Sequence, residues 1–343
     1  MTSVQHSTFE DSTETTIKVI QQTTGSSMTS SSSRTASFYF TCMVLIVTVV
    51  GAAANGLVLY AMVVSKQHKK QVLIFNQNAL DFVNCLITAI VVSIQLSNFS
   101  VRGTGGYWLC LILLSHAINS AAYYGSLINL AAISIERYLK IVHHVWANNN
   151  LHNWIIYSVM GFTWISGIVI SAALAIPSTT IINGICYSGI FSLSEMGRKI
   201  YGIWDCVSFY VIMLLIFFLC YGRILMVIRH QSKVMAAHSG QGSNTTQDQS
   251  NKMQTSIIKT MILVCVLFAI TAGPASVYSL LINFHVLPAD LNGLYVVWAF
   301  AYVYMCTNPF IYAIKFNPVK NVLLGLIPCK KSNIQGFEIG GNT

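Results

Sequence analysis

Of 343 residues, 54% are hydrophobic and only 8% are charged. A soluble domain carries about 25% charged residues, so an ordinary water-facing surface is excluded. Lys and Arg outnumber Asp and Glu by 19 to 10, an excess that suits nucleic acid or anionic lipid, and its distribution along the chain favours membrane lipid over nucleic acid.

Residues 1–36 are rich in Ser and Thr, carry Glu10, Asp11 and Glu14, and contain no apolar run. This composition predicts a disordered tail without a secretory signal peptide. Seven apolar stretches follow, near 38–64, 73–97, 109–141, 154–177, 203–228, 256–284 and 291–314. Each meets or exceeds the roughly 20 residues that a helix needs to cross a bilayer. An odd number of spans puts the termini on opposite sides. With the amino terminus outside, fourteen of the 19 Lys and Arg residues fall on inner segments and five on outer ones. The positive-inside bias therefore predicts an extracellular amino terminus and a cytoplasmic carboxyl tail. The predicted organisation is an outer tail over 1–36, a membrane domain over 37–316 and a short cytoplasmic amphipathic helix and tail over 317–343.

The nine cysteines include no Cys-x-x-Cys pair, which argues against a zinc site or a disulfide scaffold. Cys110 begins the third stretch on the outer side and Cys186 lies in the outer loop after the fourth. Both face an oxidising compartment, and a disulfide between them is expected. Asn98-Phe99-Ser100 is a glycosylation sequon in the first outer loop, whereas Asn244-Thr245-Thr246 lies inside and is expected to stay unused. The third inner loop, about 230–254, is rich in Gln, Ser and Asn and reads as a flexible linker. Cys329, beside Lys330 and Lys331 after an amphipathic run from Val319 to Ile327, is a palmitoylation candidate at the inner surface.

Polar groups are costly inside apolar spans, so they belong on the bundle interior and mark function. Asn78, Asp81, Cys85 and Thr88 share one face of the second span. Asn119, Tyr123, Ser126, Leu130, Ser134 and Arg137 form a stripe on the third, and Trp298, Tyr302, Met305, Asn308 and Tyr312 one on the seventh. Gly51 and Asn55 lie one turn apart in the first, where the small residue permits close helix approach. Asn55 alone reads equally as hydrogen-bond glue between helices, but ionisable Asp81 does not. Glu136-Arg137 at the inner end of the third span is an acid–base pair. An ionised side chain at a bilayer centre costs roughly 2.5–3.5 kcal/mol, which confines such a pair to an interface or a bundle interior.

These residues, with Leu80-Asp81, Glu136-Arg137-Tyr138, Trp164, Tyr221, Phe268, Pro274 and Asn308-Pro309-x-x-Tyr312 in the right spans and order, make the chain resemble the rhodopsin-like (class A) G-protein-coupled receptors over about residues 37–331. The resemblance implies an all-α integral membrane protein, a seven-helix bundle in the plasma membrane with a short amphipathic helix after the seventh span. It implies a receptor that binds an extracellular ligand and activates a heterotrimeric G protein, with no catalytic residues. Arg137 is expected to pair with Glu136 at rest and to meet the G protein on activation, supported by Tyr221 and Tyr312. Asp81, Ser126 and Asn308 correspond to a pocket that holds a sodium ion in many relatives, and no other cofactor is implied. Pro274 removes a backbone hydrogen bond and supplies a hinge in span six.

The chain departs from the family pattern at several places. Span six reads Thr271-Ala272-Gly273-Pro274 where the family carries an aromatic before the proline, and span five has Met213 in place of the usual proline. Cys110 and Arg137 are two residues further apart than is usual. No acid stands near Gln254 to restrain Arg137, which predicts some agonist-free signalling. Amine receptors carry an aspartate where this chain has Asn119, and opsins carry a lysine where it has Tyr302. An amine ligand and a retinal Schiff base are therefore disfavoured. A ligand cavity walled by His116, Asn119, Tyr123, Asp205, Tyr278, Trp298 and Tyr302 is predicted, suited to a peptide or a small molecule. Trp298 reads equally as an interfacial anchor, and Asp205 as a solvated loop acid. Two other readings compete with this one. One is a seven-span protein of receptor fold with weak or no G-protein signalling. The other is a transporter or channel, which predicts paired helix interruptions in both halves that the sequence lacks. An intramembrane enzyme is disfavoured because Asp81 has no partner carboxylate in another span and no Ser/His pair is evident.

Overall fold

The computed structural model describes residues 30–97, 103–182, 185–188, 194–238, 245–287 and 291–326. Asn98 and Cys329 lie outside the described residues, as do the side chains of Gln254 and Trp298. The chain divides into two compact units, Met1–Met43 and Val44–Thr343. Helix α1 (Ser30–Val64) starts earlier than the apolar run that predicted it, inside the Ser-rich tail. Extending a formed helix is far easier than nucleating one, so the apolar helix propagates outward into serines. In the first unit Thr41 Oγ1 donates to the Ser37 carbonyl at 2.8 Å, and the exposed Phe38 and Tyr39 rings meet edge-on at 6.1 Å.

In the second unit a turn at Lys66 (φ 55°) leads through α2 (Gln67–Lys70) into α3 (Val72–Leu96). The third apolar stretch is not one regular helix. It comprises α4 (Gly103–Leu109), a wide π turn at Cys110–Leu114, a break at Ser115 and His116 (φ 59°), and α5 (Ala117–Val142). A short α6 (His144–Asn150) precedes α7 (Asn153–Ser178). Strands β1 (Thr179–Ile182) and β2 (Ile185–Ser188) form an antiparallel hairpin with Ile181 opposite Cys186. This short hairpin lies in a loop beyond the apolar runs, where its β-branched and aromatic residues favour strands, and the bundle itself is all-α as expected. The fifth stretch comprises α8 (Glu195–Cys206), a second π turn at Val207–Val211 and α9 (Ile212–His238). Helices α10 (Thr245–Asn283), α11 (Leu291–Lys315) and α12 (Asn317–Gly325) complete the chain.

Among the described residues, six helical stretches, 37–64, 72–96, 103–142, 153–178, 195–230 and 258–283, are long and apolar enough to cross a membrane. Their side chains are distributed as lipid demands. Phe162, Ile165, Val169, Phe218 and Leu219 point outward, exposed, while Asn55, Gln77, Asp81, Asn129 and Asn308 are fully buried. Water would select the opposite arrangement. The tightest packing joins α5 to α7, where Gly125 and Gly167 let the backbones meet. A Cβ on Gly167 would collide with the Ala121 carbonyl and come within 3.0 Å of the Gly125 nitrogen.

Candidate functional site

Helix α3 is apolar enough to insert, yet its inward arc carries Asn76, Gln77, Asn78, Asp81, Asn84, Cys85 and Thr88, all buried. The predicted stripe of Asn78, Asp81, Cys85 and Thr88 supplies four of these seven. Asp81 sits at its centre. Ser126 Oγ on α5 donates to Asp81 Oδ1 at 2.8 Å, and Asn308 Nδ2 on α11 donates to Oδ2 at 2.8 Å. The predicted trio of Asp81, Ser126 and Asn308 is thus brought together. Gln77, one turn before Asp81, also points its Nε2 at both carboxylate oxygens (3.5 Å each) and donates to Ser126 Oγ.

Gln77 belongs to a longer relay that the sequence did not reveal. Trp164 Nε1 donates to Asn76 Oδ1 at 2.9 Å, Asn76 Nδ2 to Asn129 Oδ1 at 2.9 Å, and Asn129 Nδ2 to Gln77 Oε1 at 2.9 Å. An indole N–H only donates and a carboxylate only accepts. With Trp164 at one end and Asp81 at the other, every amide in between has a single consistent orientation. Thr163 Oγ1 and the Leu73 carbonyl take the remaining amide hydrogens of Asn76 and Asn129. The sequence signal was present, since Asn76 and Gln77 precede Asp81 by about one turn and Asn129 follows Ser126 by three residues.

Near the carboxyl end of α5, Arg137 is 8% exposed. Its Nη2 lies 3.4 Å from Glu136 Oε2 and donates to Gln71 Oε1. Glu136 is shared, because Lys140 Nζ approaches its Oε1 at 2.5 Å. Two cations on one carboxylate weaken the hold on either. Gln71 stands at the junction of α2 and α3, where no periodicity could flag it. Tyr138 leans away onto His143, with its Oη 3.1 Å from Nε2. One turn further in, Ser134 Oγ donates to Tyr221 Oη at 3.2 Å, fixing that ring inside the bundle. Tyr312 is 1% exposed, and its hydroxyl has no hydrogen-bond partner among the described residues.

Between these levels Phe268, fully buried, meets the rings of Tyr210, Phe217 and Tyr304 at 6.3, 5.5 and 5.7 Å. Tyr210 comes from the π turn of span five and lies over Gly273, where a Cβ would stand 2.6 Å from its hydroxyl. Its Oη reaches the Ala269 carbonyl at 3.5 Å, in the turn that Pro274 leaves short of a donor. Pro274 lies inside α10 and Pro309 inside α11.

The residues expected to wall a ligand cavity separate into two groups. Asn119 Nδ2 donates to Thr88 Oγ1 at 2.5 Å and to the Asn84 carbonyl at 3.2 Å, joining α3 to α5. His116 stands near it, its Nε2 3.4 Å from Gln95 Nε2. Asp205 instead accepts from Tyr124 Oη at 3.1 Å, and that hydroxyl is 3.1 Å from Tyr201 Oη. Asp205 is therefore not a free loop acid but part of an aromatic group of Tyr124, Tyr201, Trp204 and Phe209. Tyr123 touches that group edge-on through Tyr124 at 5.6 Å. Tyr302 and Tyr278 are half-buried, Tyr302 against the core. The disulfide expected between Cys110 and Cys186 is formed, with Cα atoms 5.6 Å apart. It ties the wide turn of span three to β2.

The family model for the 7 transmembrane receptor (rhodopsin family) matches residues 54–312. That stretch contains every residue that carried the resemblance except Gly51, from Asn55 to Tyr312. A buried acid cluster, an arginine held by Glu136 and Gln71 at one end of α5 and a disulfide at the other end of span three thus stand on one helical frame, and the chain belongs to the rhodopsin family of seven-transmembrane receptors.

Proposed function

We propose that this receptor binds an extracellular ligand, neither an amine nor retinal, and activates a heterotrimeric G protein through Arg137. In this reading α11 is the seventh span, the amino terminus is outside and the protein resides in the plasma membrane. The observation that carries it is the restraint on Arg137, which rests on one shared carboxylate and one neutral amide. Such a hold is broken by modest competition, so a ligand that favours the open state shifts the population without a large input of free energy. The sequence adds no acid at the inner end of span six to strengthen it. Support for a switch in span six comes from Tyr210, which lies against Gly273 and Phe268 and fills the level from which the family's aromatic is missing. The group of Tyr124, Tyr201, Trp204 and Asp205, together with His116, Asn119, Tyr123, Tyr278 and Tyr302, frames the ligand side in this reading.

The test is a ligand-independent second-messenger panel in cells expressing the receptor, beside Arg137→Ala at matched surface level. A basal signal lost in the variant is the expected result. Silence of both at high expression would favour a receptor fold that signals poorly.

A further inference from the structure

Many relatives hold a sodium ion against the acid of the second span, but the residues present here do not fit that ion. A hard cation is held by a shell of several oxygens. A carboxylate offers about four lone-pair sites, and those of Asp81 face protein donors. Ser126 Oγ and Asn308 Nδ2 each approach at 2.8 Å, and Gln77 Nε2 lies 3.5 Å from both oxygens. Ser126 gives its proton to Asp81 and accepts from Gln77, so its oxygen is engaged on both sides. Within the cluster of Asp81, Ser126, Gln77 and Asn308, the described residues leave one side-chain oxygen without a partner, Asn308 Oδ1. One oxygen is no shell. The Gln77 amide cannot simply turn round to offer its oxygen instead, because Asn129 Nδ2 donates to that oxygen at 2.9 Å and the relay back to Trp164 fixes each amide in turn.

We propose that the Gln77 side-chain amide takes the place of a cation beside Asp81, closing the interior polar cluster with a neutral donor and making this receptor insensitive to sodium. Gln77 supplies what a buried carboxylate requires, donors pointed at its oxygens, from one turn away on the same helix. Nothing has to enter or leave for the Asp81 oxygens to have their donors. The inference concerns the cluster alone and does not depend on whether the receptor signals.

The experiment compares unfolding temperatures of the purified full-length receptor in lipid nanodiscs, in sodium chloride and in choline chloride at equal concentration. Wild type is expected to show the same Tm in both salts. Gln77→Leu and Gln77→Met, which remove the amide and keep most of the volume, are expected to unfold higher in sodium chloride by about 2 °C or more, the scale of a saturating ligand. Asp81→Asn added to either variant should abolish that difference. A sodium-specific rise in wild type would overturn the proposal. So would salt-indifferent behaviour of both Gln77 variants, because the block would then lie elsewhere. The wild-type comparison stands even where one variant folds poorly, and silence in the signalling panel leaves this result unaffected.

Discussion

Gln71 sits between α2 and α3, outside any apolar span, and its amide oxygen accepts from Arg137 Nη2. A hydrogen bond to a charged group contributes about 1.5–3 kcal/mol, so losing it favours any state in which Arg137 is free. Gln71→Ala is expected to raise basal second-messenger output by about tenfold or more where the assay is not saturated, since about 1.4 kcal/mol is a factor of ten in a population. Equal basal output at equal surface expression would show that Gln71 does not restrain Arg137. Trp164 makes a comparable point from the opposite side. Trp164→Phe keeps a ring but strands Asn76 Oδ1, which costs about 1–3 kcal/mol and lowers Tm by about 2 °C or more. An unchanged unfolding temperature would mean that the relay is not anchored there. Sequence reading found Asp81, Ser126 and Asn308 because each lies on a stripe of helical period. Gln77 and Asn76 escape that pattern because a single stripe covers one phase of α3, whereas α3 presents polar groups over a wider arc to both α5 and α11.

Helices α5 and α7 meet through glycine rather than through large side chains. A Cβ on Gly167 would run into the Ala121 carbonyl, which is backbone and cannot swing aside. Gly161, two turns earlier on the same helix, has nothing within 4 Å of that position. Gly167→Ala is therefore expected to lower surface yield and Tm. Gly161→Ala should be neutral or slightly stabilising, by up to about 1 kcal/mol from helix propensity. Equal behaviour of the two in a thermal-unfolding assay would contradict the close approach. Spans three and five each contain a wide turn, at Cys110–Leu114 and Val207–Val211, that no residue pattern announced. Such turns arise from tertiary demands, here a disulfide at one and Tyr210 reaching the span-six backbone at the other. Span five bends its hydrogen-bond ladder without the proline that its relatives use.

At the scale of the molecule, the apolar runs and polar stripes were legible because a bilayer imposes a simple rule. Long helices face lipid with carbon and each other with what little polarity the chain has. The short β hairpin, α6 and the break at His116 fall outside that rule and were not foreseen. Orientation rests on charge alone, with fourteen of the 19 Lys and Arg on the inner segments. Epitope tags on the two termini of the intact receptor are expected to stain on opposite faces of unpermeabilised and permeabilised cells, the amino-terminal one outside. Staining of both on one face would remove the seventh span and the receptor topology with it.

The loosened turn at Cys110–Leu114 has one more effect, on how this sequence can vary. A continuous helix transmits every inserted or deleted residue as about a 100° rotation of all that follows. Here the outer segment is clamped by its sulfur bridge and the inner segment starts afresh at Ala117, so the two have independent rotational settings. A gain or loss of a residue within the turn would be absorbed there, leaving the facing of Asn119, Ser126 and Arg137 unaltered while the outer mouth is free to change its dimensions.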